Sequence, residues 1–286
     1  MDASTTPASW VPIRTGCTCP RRAEPSVNRE RARATLTIEP VPTLPPAPRV
    51  SLSERLAAVE QRVSAACSRA GRARRDVQIL PVTKSVDAAR AAELLELGLC
   101  DLAENRADEL EHKRAWFAER GLRARWHCIG HVQRNKARRI ARVCAQVHSV
   151  DSVALHDALA RVCEEEGRGL GLWLQVKLWP EADKGGLAPS ELRALVERGA
   201  RSETVSWLGL MTMAPLIADE HASRRAAREV FDGLRELAAA LDPARFTAGR
   251  ARLSMGMSSD FELAIEAGAD VVRIGSALFS DASRAG

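Results

Sequence analysis

From Ser51 onward, short apolar runs alternate with amphipathic stretches, which restricts the chain to folds that join strands through crossover helices. Eight such runs occur, at 77–82, 99–103, 126–129, 145–150, 172–178, 205–211, 252–255 and 271–274. Helical spacing recurs between them, as at 87–97, 152–166, 190–197, 221–241 and 261–267, and the eighth run leads only into a short segment at 277–279. A further helix over 51–70 precedes the first run, with Ser51 and Ser53 as capping candidates. Eight units in about 235 residues match the usual size of a (β/α)8 barrel. The expected fold is therefore α/β, a single TIM-type barrel. A doubly wound open sheet has the same periodicity, because periodicity carries no information about closure.

Residues 1–49 have another texture, holding nine of the fourteen prolines, among them the run from Pro40 to Pro48. Such a segment cannot sustain a helix or a strand ladder, so a disordered or extended proline-rich leader is expected over 1–49 and one barrel domain over 50–286. An organelle transit peptide or an overlong start would read the same way. Seven arginines against four acids give residues 1–50 a charge of +3, leaving +2 of the total +5 for the rest. The densest basic run, Arg134, Lys136, Arg138, Arg139 and Arg142, has no aromatic platform beside it and reads as a solvated helix face rather than a nucleic-acid surface. No window approaches a membrane span. The seven cysteines lack the paired spacing of a zinc site or disulfide framework, which points to a reducing, cytoplasmic setting.

In a barrel, function gathers where the strands end. The first strand ends at Lys84, in a chain with five lysines against thirty-seven arginines. An amine can lose its proton and attack an aldehyde, whereas a guanidinium cannot; a lysine that solvates a strand end is the plain alternative. The last two strands run into Ser254-Met-Gly-Met-Ser-Ser-Asp260 and Arg273-Ile-Gly-Ser276, loops small enough for backbone N–H groups to approach an anion. A phosphate cradle opposite a lysine suggests a phosphorylated aldehyde, although ordinary turns would account for each loop separately. His127, at the third strand, reads as a satisfied core histidine or a proton carrier. Apart from Met1, the methionines stand at 211, 213, 255 and 257, as a soft wall or as core.

These segments, together with Ala103-Glu-Asn105, Trp126-His-Cys-Ile-Gly130, Gln133-Arg-Asn-Lys136, His148-Ser-Val-Asp151, Asp183-Lys-Gly185 and Gly209-Leu-Met-Thr-Met213, closely resemble the pyridoxal phosphate homeostasis protein family over residues 51–280. That family is a single barrel related to the N-terminal domain of alanine racemases. The resemblance implies pyridoxal 5′-phosphate bound to Lys84 as an internal aldimine, with Asn105 beside the ring and Arg273 facing the pyridine nitrogen. It implies that Ser258, Gly275 and Ser276 hold the phosphate, with Ser254 a further phosphate or supporting residue, and it marks Lys184 as peripheral to cofactor handling. The chain departs from the family pattern at Ala103, Cys128 and Lys177 and through 178–183.

An arginine against the ring nitrogen stays protonated and weakens the cofactor as an electron sink. Alanine racemases add a tyrosine base from a second domain. This chain has no tyrosine and runs eleven residues past Gly275, so neither that base nor its domain is expected. The expected function is a monomeric, non-catalytic carrier. It would hold pyridoxal phosphate as a lysine Schiff base and buffer it or deliver it to apo-enzymes, affecting amino-acid and keto-acid balance. The alternatives are a racemase-like enzyme on the same half-barrel and a cofactor-free Schiff-base aldolase using Asp260.

Overall fold

The computed structural model describes residues 50–180, 185–200 and 202–280. The leader expected over 1–49, and Lys184, lie outside the described residues.

Among the described residues there are eight strands: β1 (Gln78–Pro81), β2 (Asp101–Glu104), β3 (Arg125–Cys128), β4 (Gln146–Val150), β5 (Leu170–Gln175), β6 (Val205–Met211), β7 (Arg252–Ser254) and β8 (Val271–Ile274). Nine α-helices accompany them among the same described residues: α1 (Leu52–Arg69), α2 (Ala88–Glu96), α3 (Ala107–Glu119), α4 (Ala137–Val143), α5 (Val153–Glu166), α6 (Pro189–Arg198), α7 (Glu220–Ala239), α8 (Phe261–Glu266) and α9 (Ser276–Phe279). All strand pairs are parallel, in the order β1-β8-β7-β6-β5-β4-β3-β2. The two ends of that order meet at a Val82–Ala103 bridge, where the Thr83 N–H donates to the Ala103 carbonyl at 2.9 Å. The sheet is thus a ring and not an open, doubly wound layer.

Local sequence explains most boundaries. Ser51 caps α1 with a reciprocal box: its Oγ accepts from the Glu54 N–H at 3.2 Å while Glu54 accepts from the Ser51 N–H at 2.8 Å. Asp87, Ser152 and Asp219 cap α2, α5 and α7 through one side-chain oxygen each. Two expected strands shift. β2 starts at Asp101 because the Leu99 N–H closes the end of α2 on the Leu94 carbonyl at 2.9 Å. β5 ends at Gln175, and Val176 bridges Leu187 while its N–H still donates to the Met211 carbonyl of β6 at 2.8 Å.

Packing divides into two shells. The larger apolar core lies between strands and helices, where Leu102, Trp126, Val147 and Val272 meet Leu110, Phe117, Leu159 and Phe231. A small second cluster fills the barrel interior: Leu80, Val82, Ala103, Trp173, Met211 and Val271. Polar side chains share the interior, where His127, His148, Ser254 and Arg273 are all buried. Two glycines permit the close approaches that this ring demands. A Cβ at Gly209 would stand 1.9 Å from the Arg252 carbonyl oxygen, and one at Gly130 would stand 2.0 Å from that of Asn105. The basic run of α4 is matched by acids of its neighbours: Arg139 pairs with Asp108 and Glu111, and Arg138 and Arg142 with Glu166.

Candidate functional site

At the C-terminal ends of the strands a cavity of about 330 Å³ opens, within the range of small-molecule sites. Lys84, Asn105, Ser258, Arg273, Gly275 and Ser276 line it together with Val82, Ile129, Met213, Met257 and Ser259. Six of the seven residues nominated from the sequence are thereby brought together, although they come from the ends of four different strands. The seventh, Ser254, is fully buried beneath them and bonds Arg273 rather than lining the cavity.

Arg273 lies on β8 with only 3% of its surface exposed. Its Nη1 donates to the carbonyl oxygen and Oγ of Ser254, at 2.8 and 2.9 Å, and its Nη2 donates to the Thr212 carbonyl at 2.9 Å. All three acceptors are neutral, and no ion pair to this guanidinium occurs among the described residues. Burial pulls its pKa down to about 10, partly opposed by the Asp260 charge. The group therefore remains a cation at neutral pH.

Beside it, the Ser258 Oγ accepts from the backbone N–H groups of Gly275 and Ala277, each at 3.2 Å. These converging donors are the arrangement that holds an anion, and the serine oxygen already sits among them. The Ser254–Asp260 loop is tied to β8 by the Arg273 N–H on the Gly256 carbonyl at 2.9 Å. Asp260 accepts from the Met257 N–H at 2.6 Å, and burial pushes its carboxyl up. It closes its own turn and does not line the cavity, so an acid or base role beside Lys84 has no geometric support.

Lys84 and Asn105 are braced from behind by Lys113, which was not singled out in the sequence, together with Thr83 and Glu104 of the strand-end motifs. Lys113 of α3 is buried and donates to the Thr83 carbonyl at 2.7 Å and to Glu104 Oε1 at 2.5 Å. The Thr83 hydroxyl donates to the same oxygen at 2.5 Å. This knot ties the residue before Lys84 to the residue before Asn105. The scarcity of lysine that draws attention to Lys84 applies equally to Lys113, and that signal could have found it. The Gln133–Lys136 motif lies just outside, where Gln133 and Lys136 line an adjoining cavity of about 220 Å³ that shares Asn105.

The protein-family model described as alanine racemase, N-terminal domain, matches residues 55–283. The pyridoxal phosphate homeostasis protein of Pseudomonas aeruginosa is 39% identical over 232 residues, covering 80% of this chain and 95% of the relative. That of Aquifex aeolicus is 35% identical over 228 residues, covering 80% and 97%. The chain belongs to the pyridoxal phosphate homeostasis protein family. Among solved structures, that of PipY from Synechococcus elongatus PCC7942 with pyridoxal phosphate bound superposes with a TM-score of 0.69 at 34% identity, covering 80% of this chain and all of that one. Family membership agrees with the (β/α)8 ring and with the motif order read from 51–280. No helix among the described residues is long and apolar enough to cross a membrane.

Proposed function

We propose that this chain binds pyridoxal 5′-phosphate in the cavity between Lys84 and Arg273 and serves as its carrier and buffer. The observation that carries this reading is a buried guanidinium that forms no ion pair among the described residues, facing the same 330 Å³ space as Lys84 and two convergent backbone donors. When bound, the cofactor supplies an aldehyde that a primary amine captures as a Schiff base. Lys84 is the amine available on the cavity wall. Arg273 offers only donors, so it orients the ring by its nitrogen and leaves that nitrogen without a proton of its own. Ser258 and the backbone N–H groups at Gly275–Ala277 receive the phosphate, with the Ser276 hydroxyl at the rim. Asn105 flanks the ring.

The relatives' title of homeostasis protein supports a carrier over an enzyme, and so does the lining itself. Among the described lining residues, the ionisable side chains are Lys84 and Arg273. A racemase needs a second base on the opposite face of the ring. The cavity offers no carboxylate, imidazole, thiol or phenol among those residues, and the sequence has no tyrosine. Delivery to apo-enzymes and a monomeric state complete the proposed role.

Purified protein should carry a visible chromophore, and borohydride should fix a pyridoxyl group on Lys84 that peptide mass spectrometry locates. A colourless protein that takes up no label would refute the carrier reading. Arg273→Ala should weaken retention by about 1–3 kcal/mol, the range for charge-assisted hydrogen bonds. An equilibrium titration in which this variant matches the wild type would remove Arg273 from its assigned role.

A further inference from the structure

The polar residues inside the barrel form one continuous chain. Arg273 Nη1 donates to Ser254 Oγ at 2.9 Å, and Ser254 Oγ lies 2.9 Å from His148 Nδ1. His148 Nε2 lies 3.0 Å from His127 Nδ1, and His127 Nε2 lies 2.9 Å from Asp101 Oδ1. Asp101 opens β2 and is bound from outside by Arg125, the first residue of β3, at 2.8 and 2.5 Å. The path thus runs from the N-terminal rim of the barrel to the cavity at its C-terminal end.

Its direction follows from counting protons. The guanidinium only donates and a carboxylate only accepts. Ser254 Oγ is fully buried and already receives Nη1, and among the described residues its other hydrogen-bond partner is His148 Nδ1. If that nitrogen carried a proton, the serine hydrogen would be left buried without an acceptor, a costly arrangement. His148 Nδ1 is therefore the acceptor, and its ring proton lies on Nε2. His127 Nδ1 must then accept, and its own proton lies on Nε2, pointing at Asp101. Every hydrogen is used once, with both rings neutral. Burial favours the uncharged form of His148, as do the nearby charges of Arg273 and Arg252. Trp173 stacks on His148 with ring centroids 5.0 Å apart and holds its plane.

We infer that Asp101, His127, His148 and Ser254 act as positioning residues, a one-directional hydrogen-bond chain through which a carboxylate at the N-terminal rim fixes the orientation of the Arg273 guanidinium. For cofactor retention this rests on the reading above; for Arg273 itself it does not.

The test uses the full chain labelled with 15N at histidine and arginine, without added cofactor, followed by titration with pyridoxal phosphate. In the wild type both His127 and His148 should carry their proton on Nε2 at pH 7, assigned by single His→Gln variants. His127→Leu cuts the chain: the Arg273 Nη hydrogens should then exchange faster with water, and retention should fall roughly threefold to tenfold, the scale of one net hydrogen bond. His127→Gln can accept from His148 and donate to Asp101, and should restore both readouts, which a role in packing alone would not require. An Nδ1 proton on either histidine overturns the proposal, and so does a His127→Leu variant with wild-type exchange and retention. If His127→Leu fails to fold, the wild-type tautomers still decide. A wild type that binds no cofactor counts against the carrier reading, while the tautomers and Nη exchange still judge the chain.

Discussion

Lys84→Ala should abolish borohydride-fixed labelling at position 84 and leave the fold unchanged. Lys84 stands exposed in the turn after β1 and makes no hydrogen bond or ion pair among the described residues, so its removal strips no packing from the core. A substitution at such a site changes stability by about 0.5 kcal/mol or less. Arg273 and the Ser258–Gly275 cradle survive in the variant, so pyridoxal phosphate should still bind, reversibly, and be removed by dialysis. Retention should then depend on phosphate and ring contacts alone. A Lys84→Ala protein that keeps a borohydride-stable pyridoxyl group would assign the covalent link to another lysine and sink the central claim about this site.

Lys113→Met should be the most damaging single change to stability. The ammonium and its partner Glu104 have side chains only 2% and 1% exposed. Glu104 Oε2 already lacks a partner among the described residues, so without Lys113 the carboxylate keeps only the Thr83 hydroxyl. Stranding one member of a buried pair costs about 3–5 kcal/mol, which for a domain of this size lowers the melting temperature by roughly 6–20 °C. The Thr83 carbonyl also loses its donor, one residue before Lys84, so cofactor retention should weaken along with the fold. The double variant Glu104→Gln/Lys113→Met removes both charges and should melt above the single one. Calorimetry that finds Lys113→Met as stable as wild type, or the double variant worse than the single, would show that the pair does not brace β1 and β2.

Legibility differed sharply between the two kinds of residue at this site. Lys84, Arg273 and the serines of 254–260 stood at the ends of apolar runs, where strand periodicity alone places them on one rim. The position of Ser254 on the strand said nothing about whether its hydroxyl faced a ligand or a neighbour; its two bonds, one with Arg273 and one with His148, answer that. His127 was open between a core histidine and a proton carrier. It proves to be a core histidine with both nitrogens engaged. Lys113 interrupts the apolar face of α3 and carries no periodic signal, since its partners come from two other elements.

Eight alternating units, their order, and the amine and anion cradle at their ends were written in the linear chain, because strand and helix periods and turn-forming residues are local properties. Closure of the ring at Val82–Ala103 was not. Neither was the polar column from Asp101 to Arg273, nor the brace of Lys113. Each joins residues far apart in the chain, and a buried charge or imidazole acquires its proton count only from neighbours that folding brings to hydrogen-bonding distance.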